Sequence, residues 1–439
     1  MKIVGIIAEY NPFHRGHQFH IEKARALTGA DAVIVVMSGD YVQRGMPAIM
    51  PKHLRAQMAL ACGADVVLEL PVCYATGSAE YFATGAVSLL DSLGCVDYLC
   101  FGSECGNLDV LQKIADILCQ EPEHYKLLLQ KYLKDGNAFP AARKLALSEY
   151  WNGNGLSTQI SNEEFAEILD SPNNILGIEY LKALSSLNSS IKPVTITREG
   201  AGYHDQTLDI PFSSASAIRQ GLQKHEPDSR LSVNVEQAPD IDFILQALPE
   251  NCHRIFKENY HKCFPVFVDD FSLLLKAKLL TETKESLTKY LDLTPEIANR
   301  IITHRNDFLS FSQFCDFIKT KNMTYSRISR CLIHILLGIC KCNVPDRAAD
   351  SRCGYARLLG FRRESSEIFS IIKKQSTIPL ITKLPRADEN GSGESISSDE
   401  IYFHMLRKDI FASDLYESVV TDKYHISFKN EYQKQIVRI

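Results

Sequence analysis

The sequence predicts an α/β fold built on a doubly wound parallel sheet, followed by a mostly α-helical domain and a small C-terminal α/β region. Three observations predict it. Short runs rich in β-branched residues alternate with helical patterns through the first half of the chain. From Ile241 to about Cys342 the apolar period turns helical and strand-like runs become scarce. At 439 residues, with 45% apolar and 23% charged residues, the chain is ordinary globular material and too long for one compact core.

The elements follow in order. KIVGIIA, AVIVVM, DVVLEL, DYLCFG and KPVTIT are near-continuous apolar runs, as strands covered on both faces require. Between them, segments such as GHQFHIEKARALTG and KHLRAQMALACG carry apolar residues at helical spacing. The polar interval GLQKHEPDSRLSVNVEQAPD closes this unit, so domains are expected at residues 1–225, 226–348 and 349–439. In the last of these, strand-like TIPLITKL precedes the low-complexity stretch RADENGSGESISSDE, read as a mobile loop near 386–400.

Charge and cysteine usage narrow the function classes. The net charge of −5 means that any nucleic-acid partner must be gripped by a local basic patch. Thirteen cysteines at irregular spacing without a secretory leader point to reduced thiols and a cytoplasmic protein. No run approaches the roughly eighteen apolar residues of a membrane span. Neither G-x-G-x-x-G nor G-x-x-x-x-G-K-[ST] occurs, so a phosphate site must be built another way.

One stretch carries candidate chemistry: EYNPFHRGHQFH, directly after the first strand, with His14, His17 and His20 three apart. Zinc ligation is one reading, but no cysteine or carboxylate lies at ligand spacing, and six residues of helix are expected to turn His20 well away from His14. Incidental surface histidines are a second. The third uses position: strand, tight turn at Asn11-Pro12-Phe13, then a helix opening whose unpaired N–H groups and dipole favour an anion. Two imidazoles there can donate to phosphate oxygens, with Gly16 allowing close approach.

HRGH resembles the H-x-G-H motif of the nucleotidyltransferase superfamily that includes class I aminoacyl-tRNA synthetases. Read with MSGDYVQRG, KHLRAQMALACGADVVLELP, FGSE, SPNNILGIEYLKAL, GYHD, SASAIR, MTYSRISR and YARLLG, the chain resembles the tRNA(Met) cytidine acetate ligase family over nearly its whole length. That family usually has asparagine where this chain has Arg15.

The resemblance implies a Rossmann-like nucleotidyltransferase domain that makes acetyl-adenylate from ATP and acetate, releasing pyrophosphate, with Mg2+ as companion ion. The acetyl group then passes to the wobble cytidine of elongator tRNA(Met), giving N4-acetylcytidine. It further implies His14 and His17 as the catalytic donors. The implied ATP site comprises Ile7, Ala8, Glu9, Tyr10, Asn11, Pro12, Phe13, His14, Arg15, Gly16, His17, Gln18, Phe19 and His20, with Gly102, Asn173 and Arg198.

Each of the last three has a plainer reading: a turn for Gly102, a helix cap for Asn173, and for Arg198 an ion pair with Glu199 or Asp205. Ser216 and Arg219 of SASAIR resemble the superfamily's second signature and are secondary phosphate candidates, or simple capping residues. For tRNA, the best basic cluster is Lys319, Lys321, Arg327 and Arg330 around Tyr325, with Arg300, His304 and Arg305 as extensions; a solvated helix face reads equally well. Arg357 fits function or packing, and His204 with Asp205 fits a general base. Two other functions compete: an adenylyltransferase acting on a small phosphorylated metabolite, and a catalytically dead tRNA-binding protein.

Overall fold

The computed structural model describes residues 1–155, 160–198, 214–224, 241–321, 323–344, 352–384 and 398–439. All five expected strands form: β1 (Ile3–Ala8), β2 (Ala32–Ser38), β3 (Val66–Leu70), β4 (Tyr98–Ser103) and β5 (Lys192–Thr197). They pair in parallel in the order β3-β2-β1-β4-β5. The order reverses between β1 and β4, where a doubly wound sheet opens its ligand crevice at the carboxyl ends of the strands. Residues alternate between the two cores. Ile34, Val36 and Leu68 join one, while Val33, Val35 and Val67 join the other, which is why these strands read as unbroken apolar runs.

Helices α1 (Arg15–Thr28), α2 (Lys52–Ala61), α3 (Ala79–Ser92), α4 (Pro172–Ser186) and α5 (Ala215–Lys224) accompany this sheet. Among the described residues, every regular element from Asp242 to Leu337 is helical, ending in α6 (Tyr325–Leu337). That matches the switch in apolar period. None of the helices is long and apolar enough, among the described residues, to cross a membrane.

Among the described residues, the C-terminal strands do not build a sheet of their own. β6 (Ala356–Phe361) adds antiparallel to β3, and β7 (Leu380–Ile381) and β8 (Val437–Arg438) add to β6, extending the same sheet to eight strands. Buried charges pin this junction. Lys52 Nζ lies 2.7 Å from Glu69 and 2.9 Å from Glu431, and Arg357 pairs with both carboxylates. Arg357 is therefore a packing residue within the sheet junction. The expected loop near 386–400 lies largely outside the described residues, and Ser398–Glu400 open α7 (Ser398–Tyr424). That helix binds both halves: Tyr416 OH donates to Ala48 O at 2.8 Å, and Lys408 Nζ donates to Leu337 O at 3.5 Å.

Candidate active site

β1 ends in a sharp turn. Tyr10 takes φ 49°, the Asn11–Pro12 bond is cis, and the Tyr10 ring packs edge-on against Phe13 and His17 at 4.8 Å each. His14 then caps α1. Its Nδ1 accepts the Gly16 N–H at 3.1 Å, and His17 Nδ1 accepts the His14 N–H at 3.2 Å, a reciprocal box made with imidazoles instead of the usual hydroxyl and carboxylate. The two rings stack with centroids 3.7 Å apart. Any side chain at position 16 would press on the His14 ring, 3.0 Å from its Cε1, so glycine gives the cap its room.

Burial settles the protonation. It pushes the His14 imidazole down to about 3, with Arg198 and Arg219 adding to the effect. His17 is held well below the usual imidazole range by burial and then by His14, and His20 is pushed down to about 4 by burial and Arg198. In a neutral ring whose Nδ1 accepts, the proton sits on Nε2. His14 and His17 are therefore two adjacent neutral N–H donors fixed by backbone bonds.

They line a cleft of about 390 Å³ at the switch point, together with Ile7, Ala8, Glu9, Tyr10, Asn11, Gly16, Phe19 and His20 from the first βα unit. His20 shares the wall because it follows His17 by three residues on one helix face, while His14 precedes the helix. The expectation that it turns away does not hold at the cleft. Pro12, Phe13, Arg15 and Gln18 do not line it: Phe13 is fully buried in the core and Gln18 donates to Glu22 at 2.9 Å.

Gly102, Asn173, Arg198, Ser216 and Arg219 all reach the same cleft. A Cβ at Gly102 would lie 3.2 Å from Arg198 Cγ, so the glycine seats that arginine's stem. Arg198 Nη1 donates to Asn173 Oδ1 at 3.3 Å; Glu199 and Asp205, its expected partners, lie outside the described residues, as does His204. Ser214 Oγ, not Ser216, caps α5, accepting the Ala217 N–H at 3.1 Å. Ser216 Oγ instead accepts from Arg219 Nη2 at 3.0 Å, while Arg219 Nη1 donates to Asn11 O at 2.6 Å. Burial pushes the Arg219 guanidinium down to about 10, against the opposing pull of Glu9. An arginine at about 10 still carries its charge at neutral pH.

Two stacked neutral imidazoles at a helix start share this cleft with three arginines, Arg44, Arg198 and Arg219. A family model described as HIGH Nucleotidyl Transferase matches residues 1–431. A tRNA(Met) cytidine acetate ligase of Halothermothrix orenii is 38% identical over 96% of both chains, and one of Clostridium novyi is 39% identical over 96% of this chain and 99% of its own. The chain belongs to the tRNA(Met) cytidine acetate ligase family, within the HIGH nucleotidyl transferases. Apo Thermotoga maritima TmcAL matches this ligase-family chain with a TM-score of 0.89, 30% identity and 100% of both chains covered. Its form bound with alpha-thio ATP scores 0.86 at 30% identity, covering 100% of this chain and 99% of its own.

Three residues that hold the family's cleft were not singled out from the sequence. Glu104, directly after β4, accepts from Asn173 Nδ2 at 2.6 Å and from the Asn174 N–H at 2.9 Å, capping α4. Buried Arg55 gathers the strand-end carbonyls, donating to Glu9 O at 2.6 Å, Ser38 O at 3.1 Å and Gly39 O. Arg44 lines the cleft from the connection after β2. Glu104 and Arg55 stood inside quoted motifs, but their partners are 69 and 46 residues away, and no local period marks such contacts.

The basic cluster is less uniform than its spacing suggests. Lys321 is exposed, Lys319 Nζ pairs with Asp316 at 2.5 Å, and Arg327 is half-buried beside the Thr324 cap of α6. Arg330 is mostly buried and paired with Asp292 at 3.0 Å. The extensions are engaged as well: Arg300 donates to Ile318 O at 3.0 Å, Arg305 to Glu282 O at 3.4 Å, and His304 lies 3.3 Å from Asp307. This start of α6 abuts the cleft's own loop. Ser329 Oγ donates to Gly45 O at 2.5 Å, and Gly45, at φ 73°, leaves no space for a Cβ, which would lie 2.3 Å from Arg330 N.

Proposed function

We propose that this protein is an ATP-dependent tRNA(Met) cytidine acetate ligase. An acetate oxygen bonds to the α-phosphorus of ATP as the bond to pyrophosphate breaks. The N4 amine of the wobble cytidine of elongator tRNA(Met) then attacks the acetyl carbonyl, AMP leaves, and the amine loses a proton. The single observation that carries this reading is the stacked, backbone-fixed, neutral pair His14 and His17.

Their Nε2–H groups meet the charge that gathers on the α-phosphate oxygens during the first step, from rings already fixed by backbone bonds. Gly102, Asn173 and Arg198 hold the nucleoside and phosphate on the β4–β5 side. Arg219 and Ser216, with the start of α5, take the departing pyrophosphate. Glu9 is the one carboxylate among the described lining residues, and no three His, Cys, Asp or Glu side chains converge as a metal site among the described residues. Mg2+ therefore fits as an ion that would arrive with the triphosphate, and Glu9 is the residue that would help to hold it there.

Residues 226–348 serve as the tRNA-binding unit, with Lys319, Lys321 and Arg327 on phosphate and Arg330 positioned through Asp292. Relatives of the same name match 96% of the chain, helical part included, which favours the ligase over a short metabolite adenylyltransferase. The intact histidine pair favours activity over a decayed domain. Exchange of labelled pyrophosphate into ATP tests the first step: it should require acetate and stay silent without it, and exchange indifferent to acetate would refute the proposal.

A further inference from the structure

Gln43 and Arg44 reach the cleft from the tip of a small hairpin. Tyr41–Val42 pairs antiparallel with Met46–Pro47, and the Gly45 N–H closes the turn on Val42 O at 2.9 Å. Gly45 takes φ 73°, the left-handed step that ends a three-residue hairpin loop. The tip bonds to the nucleotide loop directly. The Gln43 N–H donates to Glu9 Oε1 at 2.9 Å, and the Gln43 side chain donates to Gly77 O at 3.3 Å, just before Ser78 caps α3. The position of the tip therefore sets the side chain of Glu9, in the loop that leads from β1 to His14. A hairpin of two residue pairs cannot hold such a tip by itself.

Its backing comes from α6. Ser329 belongs to MTYSRISR, a motif whose basic residues alone stood out in the sequence. It is 1% exposed and, 284 residues along the chain from its partner, donates from Oγ to Gly45 O at 2.5 Å. A Cβ on Gly45 would lie 2.3 Å from Arg330 N, so tip and helix meet backbone to backbone. Further along the same helix, fully buried His334 has Nε2 3.0 Å from Thr76 O and Nδ1 2.9 Å from Leu291 O. That ring steadies the connection into α3, which lines the cleft with Ala79 and Phe82 and packs along α4, the helix of Asn173. α6 thus braces the stretches that enter the cleft after β2 and after β3, although neither Ser329 nor His334 lines the cleft.

Resting on the ligase reading, we infer that Ser329 is a positioning residue for the first step of the reaction. Through Gly45 O it fixes the hairpin tip, and through the tip it fixes Glu9 and the nucleotide loop. A buried hydroxyl bonded to a backbone carbonyl holds its partner in one place, which an apolar side chain of similar size does not. The helix whose Arg327 is given to tRNA phosphate then also shapes the ATP site.

The experiment is calorimetric titration of the full chain with ATP, with urea unfolding in parallel, for wild type, Ser329→Ala, Ser329→Thr and Gly45→Ala. Ser329→Ala should raise the Kd for ATP about fivefold, the scale of one neutral hydrogen bond, with the number of sites unchanged. Acetate-dependent pyrophosphate exchange should show a matching rise in the KM for ATP. Ser329→Thr keeps the hydroxyl and should stay within about twofold of wild type. Gly45→Ala pushes the tip off α6 from the other side of the same contact, should raise the Kd at least as much, and carries the reading if Ser329→Ala does not fold. A purely structural serine gives a lower urea midpoint and fewer binding-competent molecules with an unchanged Kd, and that result overturns the positioning role. Threonine as weak as alanine overturns it too, since the hydroxyl would not be the agent. Failure of the wild type to bind ATP would refute the ligase reading itself.

Discussion

Replacing His14 by asparagine separates its two jobs. The ring caps α1 through one bond from the Gly16 N–H and is 5% exposed. Loss of a cap costs about 1 kcal/mol, and loss of the stacked partner ring roughly another 1 kcal/mol. His14→Ala should therefore destabilise the protein by about 2 kcal/mol. Asparagine is itself a strong N-cap, whose Oδ1 can accept the same N–H, so His14→Asn should keep about half of that stability. It cannot place a donor where Nε2–H stood. Removal of one fixed donor to a developing oxyanion costs about 3 kcal/mol, or 10²–10³ in rate. Pyrophosphate exchange in both variants should therefore drop about equally, while urea unfolding ranks asparagine above alanine. Near-normal exchange in His14→Asn would show that the ring acts only as a cap, and the donor mechanism would fail.

Other outcomes follow from the same structure. Because burial pushes His14 down to about 3 and His20 down to about 4, exchange should show no ionisation of these rings between about pH 8 and 5, and a loss of rate near 6.5 traced to either would contradict their burial. Their folded-state values lie below the unfolded 6.5, so on acidification the unfolded chain takes up protons first and stability should fall below about pH 6.5; a flat urea midpoint from pH 7.5 to 5 would contradict this. Lys52→Met leaves Glu69 and Glu431 without their shared ammonium and should cost about 3–5 kcal/mol by urea unfolding, whereas a loss below about 1 kcal/mol would remove the network from the account. The triple variant Lys319→Ala, Lys321→Ala, Arg327→Ala should exchange pyrophosphate normally yet bind tRNA weakly, its log affinity losing about 0.7–0.9 of slope against log salt per lost contact; unchanged binding at every salt concentration would make the cluster a solvated face.

What the sequence disclosed and what it hid divide along physical lines. The five parallel strands were legible because burial on both faces leaves continuous apolar runs. HRGH was legible because its chemistry is local, strand to turn to helix within a dozen residues. β6 was not read as a strand, although ARLLGF is apolar, because an antiparallel addition beyond a parallel set follows no alternation of strand and helix. β7 falls inside TIPLITKL, which reads as strand-like, though only two of its residues pair, while β8, also two residues, leaves no period at all. Arg55 and Glu104 act through backbone groups far along the chain, so only the fold reveals them. Arg330 looked like surface charge by spacing, yet Asp292, 38 residues away, makes it an internal tie beside the cleft.

The central claim is that ATP and free acetate suffice to acetylate the wobble cytidine. Elongator tRNA(Met) incubated with the protein, ATP, Mg2+ and isotopically labelled acetate, then digested to nucleosides, tests it by mass spectrometry. The account predicts labelled N4-acetylcytidine that vanishes when ATP or acetate is omitted and when His14 or His17 is replaced by alanine. Unmodified cytidine in the complete mixture, from protein that exchanges pyrophosphate in an acetate-dependent way, would contradict it.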